Sequence, residues 1–275
     1  PNGAGKTTLI KMLTGLLRPS AGVGRVAGID VGAEPARVRR RIGYMSQRFS
    51  LYADLRVDEN IALYGGLYGV SGDRFEARRR WVLDIAGLEG HGGSLTGDLP
   101  LGFKQRLALG CAVLHEPPLL FLDEPTSGVD PMARRGFWDL INALSAAGTT
   151  VLVSTHYMEE AEYCHRLALM NRGRLIALDA PAALRHALEE PIFELRTGDP
   201  PRAVEVLRHA AGVLEASLFG RAVHVVVEDE AEARRILPDA LAAAGLRCDA
   251  LRRVPPALED VFVSLVRREG GVLAG

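Results

Sequence analysis

The sequence predicts an α/β fold in which a parallel sheet is interrupted by an all-helical insertion and followed by a smaller α+β unit. Three observations predict it. A glycine-rich turn, Pro1-Asn2-Gly3-Ala4-Gly5-Lys6-Thr7-Thr8, runs straight into an amphipathic stretch. Short apolar runs then alternate with helical periodicity to about residue 180, the pattern of parallel strands joined by crossover helices. Between residues 57 and 116 the alternation gives way to three successive helical patterns separated by glycine-rich breaks.

In order along the chain, Leu9, Ile10, Leu13, Leu16 and Leu17 fit one face of a helix that starts in the glycine turn. Residues 25–30 and 42–46 read as short strands. Residues 57–68, 74–86 and 103–115 read as helices, which places a helical subdomain at about 50–116. Residues 119–123 form an apolar run of the kind shown by a strand buried on both faces. Helix 131–147, strand 149–154, helix 157–164 and strand 166–171 follow. The character shifts between Pro181 and Pro191. The remainder reads strand 192–197, helix 201–211, strands 213–219 and 223–228, helix 231–245, strand 247–253 and helix 256–268. That β-α-β-β-α-β order predicts a small ferredoxin-like unit. Two domains are expected, 1–185 and 191–275.

At 275 residues, two domains are the natural prior, and 48% hydrophobic residues supply ample core. A net charge of −1 gives no bulk electrostatic reason to bind nucleic acid or anionic lipid. The arginine clusters at 37–41 and 78–80 read as solvated helix faces. Cys111, Cys164 and Cys248 are too far apart for a paired metal or redox motif, which suggests buried thiols in a reducing compartment. The longest apolar run, residues 107–114, falls far short of the roughly 20 residues of a membrane span. No secretory signal is visible. A phosphate loop normally follows a strand, so a further segment is expected upstream, carrying that strand and a group that stacks on the base.

The opening turn carries the first chemistry. A glycine immediately before Pro1 would complete G-x-x-x-x-G-K-[ST], the phosphate-binding loop. Gly3 and Gly5 let the backbone curl and aim N–H groups at phosphate oxygens. Lys6 would reach the β/γ-phosphates and the Thr7 hydroxyl would ligate Mg²⁺, while the following helix turns its positive end to the anion. Asn2, Gly3, Ala4, Gly5, Lys6, Thr7 and Thr8 are the candidate nucleotide-binding residues. The second chemistry lies at the end of the apolar strand, where Asp123 and Glu124 follow Leu119-Leu120-Phe121-Leu122. In open parallel sheets, ligands bind at the carboxyl ends of strands. Asp123 is placed to hold Mg²⁺ and Glu124 to polarise a water for attack on the γ-phosphate.

Asp123-Glu124-Pro125-Thr126-Ser127-Gly128-Val129-Asp130-Pro131, with PNGAGKTT before it and Ser154-Thr155-His156 after it, strongly resembles an ABC-type ATP-binding cassette over residues 1 to about 180. The resemblance implies the P-loop NTPase fold, ATP as ligand and substrate, and Mg²⁺ as cofactor. It implies that Gln47 is the Q-loop glutamine, contacting Mg²⁺ or the attacking water and sensing the helical subdomain. It also makes His156 the switch histidine, holding the γ-phosphate and orienting Glu124, and Asp130 the aspartate that communicates across a head-to-tail dimer. His115 and His165 match no such role and read as structural.

One departure is informative. Leu99-Pro100-Leu101-Gly102-Phe103-Lys104-Gln105 aligns with the family signature LSGGQ, whose serine, glycine backbone and helix start grip the γ-phosphate held by the opposite subunit. Pro100 replaces the serine and removes a hydroxyl and an N–H. Leu101 replaces a glycine and adds bulk, while Gly102 and the helix start survive. This signature should support a partner's site poorly. It resembles one found in ATPases of ABC-2-type exporters, including the second half of tandem-cassette bacterial proteins, and Pro255 to Phe262 is similar to the ending of drug-resistance-type exporter ATPases. The resemblance thus implies a bacterial exporter's ATP-hydrolysing subunit, cytoplasmic and peripheral on the inner face of the cell membrane. Its implied partners are a second cassette, as homodimer or fused tandem half, and an integral membrane permease touched through the region 52–68. No nucleic-acid partner is expected. The alternative is a regulatory or degenerate cassette with little turnover.

Overall fold

The computed structural model describes residues 1–47 and 50–268. The chain divides into two compact units, Gly3–His156 and the remainder, Pro1–Asn2 with Tyr157–Gly275.

In the first unit, α1 (Lys6–Leu13) leaves the glycine turn and buries Ile10. The expected strand 25–30 is instead a small hairpin, β1 (Arg25–Val26) paired antiparallel with β2 (Ile29–Asp30). Ala27 and Gly28 turn the chain between them at φ +50° and +77°. After α2 (Pro35–Arg39) comes β3 (Ile42–Met45), which pairs in parallel with β4 (Leu119–Asp123), and β4 pairs in parallel with β5 (Thr150–Ser154). Ile10, Val26, Ile29, Val38, Ile42 and Phe121 form the core beneath this three-stranded sheet. Its carboxyl edge carries the chemistry.

The expected helical insertion is present as α3 (Val57–Tyr68), α4 (Gly72–Ala86) and α5 (Leu101–Ala112), and α6 (Pro131–Ala146) follows β4. Each boundary has a local cause. The Glu59 carboxylate accepts the Arg56 N–H at the start of α3, a half capping box. Gly69 and Gly87 end α3 and α4 in the left-handed conformation. Asp130 and Pro131 start α6. Buried Asn60 ties α3 to its flanks, accepting the Tyr52 N–H at 3.0 Å and donating to the Thr96 hydroxyl at 2.9 Å.

Of the arginines at 78–80, Arg80 is exposed as expected, but Arg78 and Arg79 are not simply solvated. Arg78 donates to the carbonyls of Leu114 and Val113 and lies 3.9 Å over the Trp81 ring, while Arg79 grips Asp58 with two nitrogens. They pin α4 to α5 and α3. At Gly43 on β3, a Cβ would stand 2.4 Å from the Ala112 carbonyl oxygen at the end of α5. The helix backbone rests there directly on the strand.

In the second unit, the expected helix 157–164 shrinks to one turn, α7 (Met158–Ala161). The expected strand 166–171 forms as β6 (Leu167–Asn171), but it belongs to a separate hairpin with β7 (Arg174–Asp179), turning at Arg172 and Gly173. Then α8 (Pro181–His186) leads to β8 (Ile192–Arg196), α9 (Pro200–Leu207), β9 (Val213–Phe219), β10 (Ala222–Val227), α10 (Glu230–Ala243), β11 (Ala250–Val254) and α11 (Leu258–Arg268). The sheet order β11-β8-β10-β9, antiparallel throughout, is the ferredoxin-like arrangement the sequence predicts. Alternation along β10 explains the layers. Val223, Val225 and Val227 face a core shared with α9 and α10, and Val226 faces α11. His224, pointing the same way as Val226, meets the buried Asp260 carboxylate of α11 at 3.0 Å.

The thiols differ from expectation in part. Cys111 is fully buried, and burial pushes it far above the usual thiol range, whereas Cys164 and Cys248 are only partly covered.

Candidate functional site

The opening loop has the backbone of an anion cradle. Gly3 and Gly5 adopt φ of +73° and +101°, a region other residues enter only under strain. Gly5 caps α1 and has no side chain to cap its first N–H groups, which leaves this helix end suited to an anionic ligand. A Cβ on Gly3 would meet no atom within 4 Å, so its backbone conformation, not crowding, calls for glycine there. Ala4 is buried, while Asn2 and Thr8 are exposed.

Parallel pairing places Asp123, the last residue of β4, beside Ser154, the last of β5. Asp123 is 1% exposed. Its Oδ1 accepts from the Thr7 hydroxyl at 3.1 Å and from the Ser154 hydroxyl at 2.6 Å. Its Oδ2 is buried and has no hydrogen-bond partner among the described residues, an arrangement that costs free energy unless another group or ion takes it up. Thr7 donates its proton to Asp123 and keeps its oxygen lone pairs available. Such a sparse set of hard oxygens fits Mg²⁺, which keeps most of its waters and takes one or two protein ligands. Consistent with that mode, no cage of three or more His, Cys, Asp or Glu gathers among the described residues.

Glu124 sits one residue on, 7% exposed, with φ +48° ahead of a proline. Its N–H reaches both the carbonyl (3.1 Å) and the hydroxyl (3.0 Å) of Ser154. Its carboxylate is met from three sides: Lys6 Nζ at 3.4 Å, Gln47 Nε2 at 3.1 Å and His156 Nδ1 at 3.1 Å. Residues separated by more than a hundred positions thus converge. Gln47 reaches the acid itself. The sequence alone did not reveal the Lys6–Glu124 pair or the bridging part of Ser154.

Further along, α5 starts at Leu101 with Pro100 at its cap and no side-chain hydrogen bond there. Leu101 is 41% exposed. A Cβ on Gly102 would stand 3.0 Å from that of Ala133, so α5 approaches α6 closely at this point. The Asp130 carboxylate accepts the N–H groups of Met132 and Ala133 at 3.0 Å each and is engaged as the cap of α6. His115 stacks on Tyr68 and pairs through Nε2 with the Ile42 carbonyl; burial pulls its pKa down to about 4. His165 is exposed.

With this geometry in hand, comparison with known proteins is direct. Residues 1–127 match the ABC transporter family and residues 180–266 match the C-terminal domain of DrrA1-3-like ATP-binding proteins. Residues 97–160 also match an AAA domain described as a putative AbiEii toxin of a type IV TA system. The probable multidrug ABC transporter ATP-binding protein YbhF of Escherichia coli is 49% identical over 67% of this chain; the match spans 32% of that protein's length. The Nod factor export ATP-binding protein I of Rhizobium sp. is 38% identical over 98% of this chain and 86% of its own. The daunorubicin resistance ATP-binding protein DrrA2 of Streptomyces coeruleorubidus is 36% identical over 96% and 84%. Among solved structures, an ATP-binding subunit of an ABC transporter superposes with a TM-score of 0.62 at 34% identity, covering 68% of this chain and 78% of that one. A dimeric cassette in a post-hydrolysis state with ADP and Pi gives 0.60 at 26% identity, covering 66% and 82%. With the cradle, the acid couple and these matches together, the chain belongs to the ATP-binding proteins of ABC transporters, in the branch that carries a DrrA-like C-terminal domain.

Proposed function

We propose that this chain binds ATP with Mg²⁺ and hydrolyses it to drive a separate membrane permease of a bacterial exporter. The observation that carries this reading is the convergence of Lys6, Gln47 and His156 on Glu124, next to the Thr7–Asp123 pair. Gly3, Gly5 and the first turn of α1 supply N–H groups to the phosphates, joined by Asn2, Ala4 and Thr8 as loop neighbours, and Lys6 supplies the charge. Thr7 and Asp123 would hold Mg²⁺, which when bound would supply positive charge against the phosphate oxygens. When Lys6 turns to the phosphates, Glu124 is released to accept a proton from the attacking water. His156 and Gln47 then keep its carboxylate oriented.

The nucleotide-binding domain is read as 1–185 and the accessory domain as 191–275, of which 269–275 lie outside the described residues. The accessory domain serves dimer contact or regulation. No described helix is long and apolar enough to cross a membrane. A cytoplasmic subunit, peripheral on the membrane and docked through the region 52–68, accords with that and with the exporter names of the relatives. Exposed Tyr52, Leu63 and Leu67 suit such a docking surface.

Glu124→Gln in the intact protein with its permease tests the catalytic role. Hydrolysis should fall by roughly 10²–10⁴-fold while nucleotide binding persists; equal rates in the two proteins would remove Glu124 as base. A second reading, a cassette that closes on ATP with little turnover, is favoured by Pro100 and Leu101 at the α5 start. Whether the second cassette is another copy or a fused half bears on it, because two copies would place this signature at both sites.

A further inference from the structure

Ser154 is buried, 6% exposed, at the end of β5, and its single hydroxyl touches both acids of the site. Its proton goes to Asp123 Oδ1 at 2.6 Å, the shortest contact made to either carboxylate. Its oxygen accepts the Glu124 N–H at 3.0 Å. Two consequences follow from elementary hydrogen-bond chemistry. With Oδ1 occupied by Ser154 and Thr7, the Asp123 carboxylate is fixed in rotation, and Oδ2 is the oxygen left without a partner among the described residues. The Glu124 N–H, shared between the Ser154 hydroxyl and the Ser154 carbonyl at 3.1 Å, ties Glu124 to the end of β5 in a left-handed backbone that a following proline disfavours.

We propose that Ser154 is a positioning residue that sets which oxygen of Asp123 faces Mg²⁺. This rests on the reading of Asp123 as the magnesium carboxylate. Partners of a ligating carboxylate typically change metal affinity by about 10- to 100-fold when removed, and Ser154 is placed to act in this way. Valine or alanine would fill the strand position without the hydroxyl, losing the bond to Asp123 while the backbone carbonyl still accepts the Glu124 N–H. Threonine keeps the hydroxyl.

The test is calorimetric titration of the intact protein with a non-hydrolysable ATP analogue, with Mg²⁺ and with EDTA, in wild type, Ser154→Ala, Ser154→Thr and Asp123→Ala. The readout is the gain in affinity that Mg²⁺ confers. We expect Ser154→Ala to lose about tenfold of that gain, Ser154→Thr to recover most of it, and the EDTA affinities of all to agree. A melting curve of each variant separates this from unfolding, since a core defect lowers the melting temperature without altering the magnesium-dependent gain. If Asp123→Ala abolishes the gain and Ser154→Ala leaves it whole, the Ser154 proposal is overturned while the site stands. If Asp123→Ala also leaves it whole, the magnesium reading fails with it.

Discussion

Two helix starts in the first unit invite comparison. Both α1 and α5 begin at cap residues, Gly5 and Pro100, that make no side-chain cap hydrogen bond, and both present the positive end of a helix. At α1 that end is flanked by two left-handed glycines and by Lys6, and Thr7 stands one residue on. At α5 it is flanked by Pro100 and a part-exposed Leu101. The backbone offers similar dipoles, and on the proposed function the side chains distinguish which one takes a phosphate. α6 supplies the contrast, since Asp130 already occupies its first donors. On the function proposed above, a helix start suits an anion where its cap residue leaves the donors to a ligand and its rim is charged and open.

The sharpest way to break this comparison is Lys6→Ala. It leaves the α1 dipole in place and removes the charge, and ATP affinity measured by calorimetry should fall at least about a hundredfold. Retained affinity would mean that the helix start alone suffices. A smaller effect is expected from making α5 resemble α1. Pro100→Ser with Leu101→Gly restores a hydroxyl and an open approach, and should raise ATP turnover of the assembled transporter by about three- to tenfold. Unchanged turnover would show that the apolar rim at α5 is fully competent.

The smallest effect is on stability. Burial holds His115 at about 4 against an ordinary 6.5, so the folded state binds its proton less readily than the unfolded chain does. The stability that neutral His115 supports is fully present above pH 6.5 and is lost as pH falls from there to about 4. His115→Phe keeps a ring against Tyr68 and should flatten the melting temperature across that window. An unaltered slope would place the acid sensitivity elsewhere.

Much of this was legible in the sequence, for physical reasons. Strand 119–123 and helix 57–68 fall where periodicity puts them, because one is apolar up to its terminal Asp123 and the other is bounded by Glu59 and Gly69. The hairpin at 25–30 was not legible: a six-residue strand and two two-residue strands share the same alternation, and Ala27 gives no sign of its positive φ. The β7 strand was missed although Arg172-Gly173 ahead of an apolar run is a hairpin signal. At the site, residue identities were readable from motif spacing, but their partners were not. That Asp123 lies opposite Ser154 follows from the pairing of β4 with β5, and that the Glu124 carboxylate holds Lys6 follows from where α1 begins and β4 ends.

The bare contact at Gly43 has a consequence for how the unit can move. With no side chain between the Ala112 carbonyl and β3, there is no deformable layer to absorb sliding at that end of α5. The helix is 12 residues long, about 18 Å at 1.5 Å per residue, and its far end carries Pro100 and Leu101. A tilt of α5 by a few degrees about that contact would sweep its opposite tip through about an ångström.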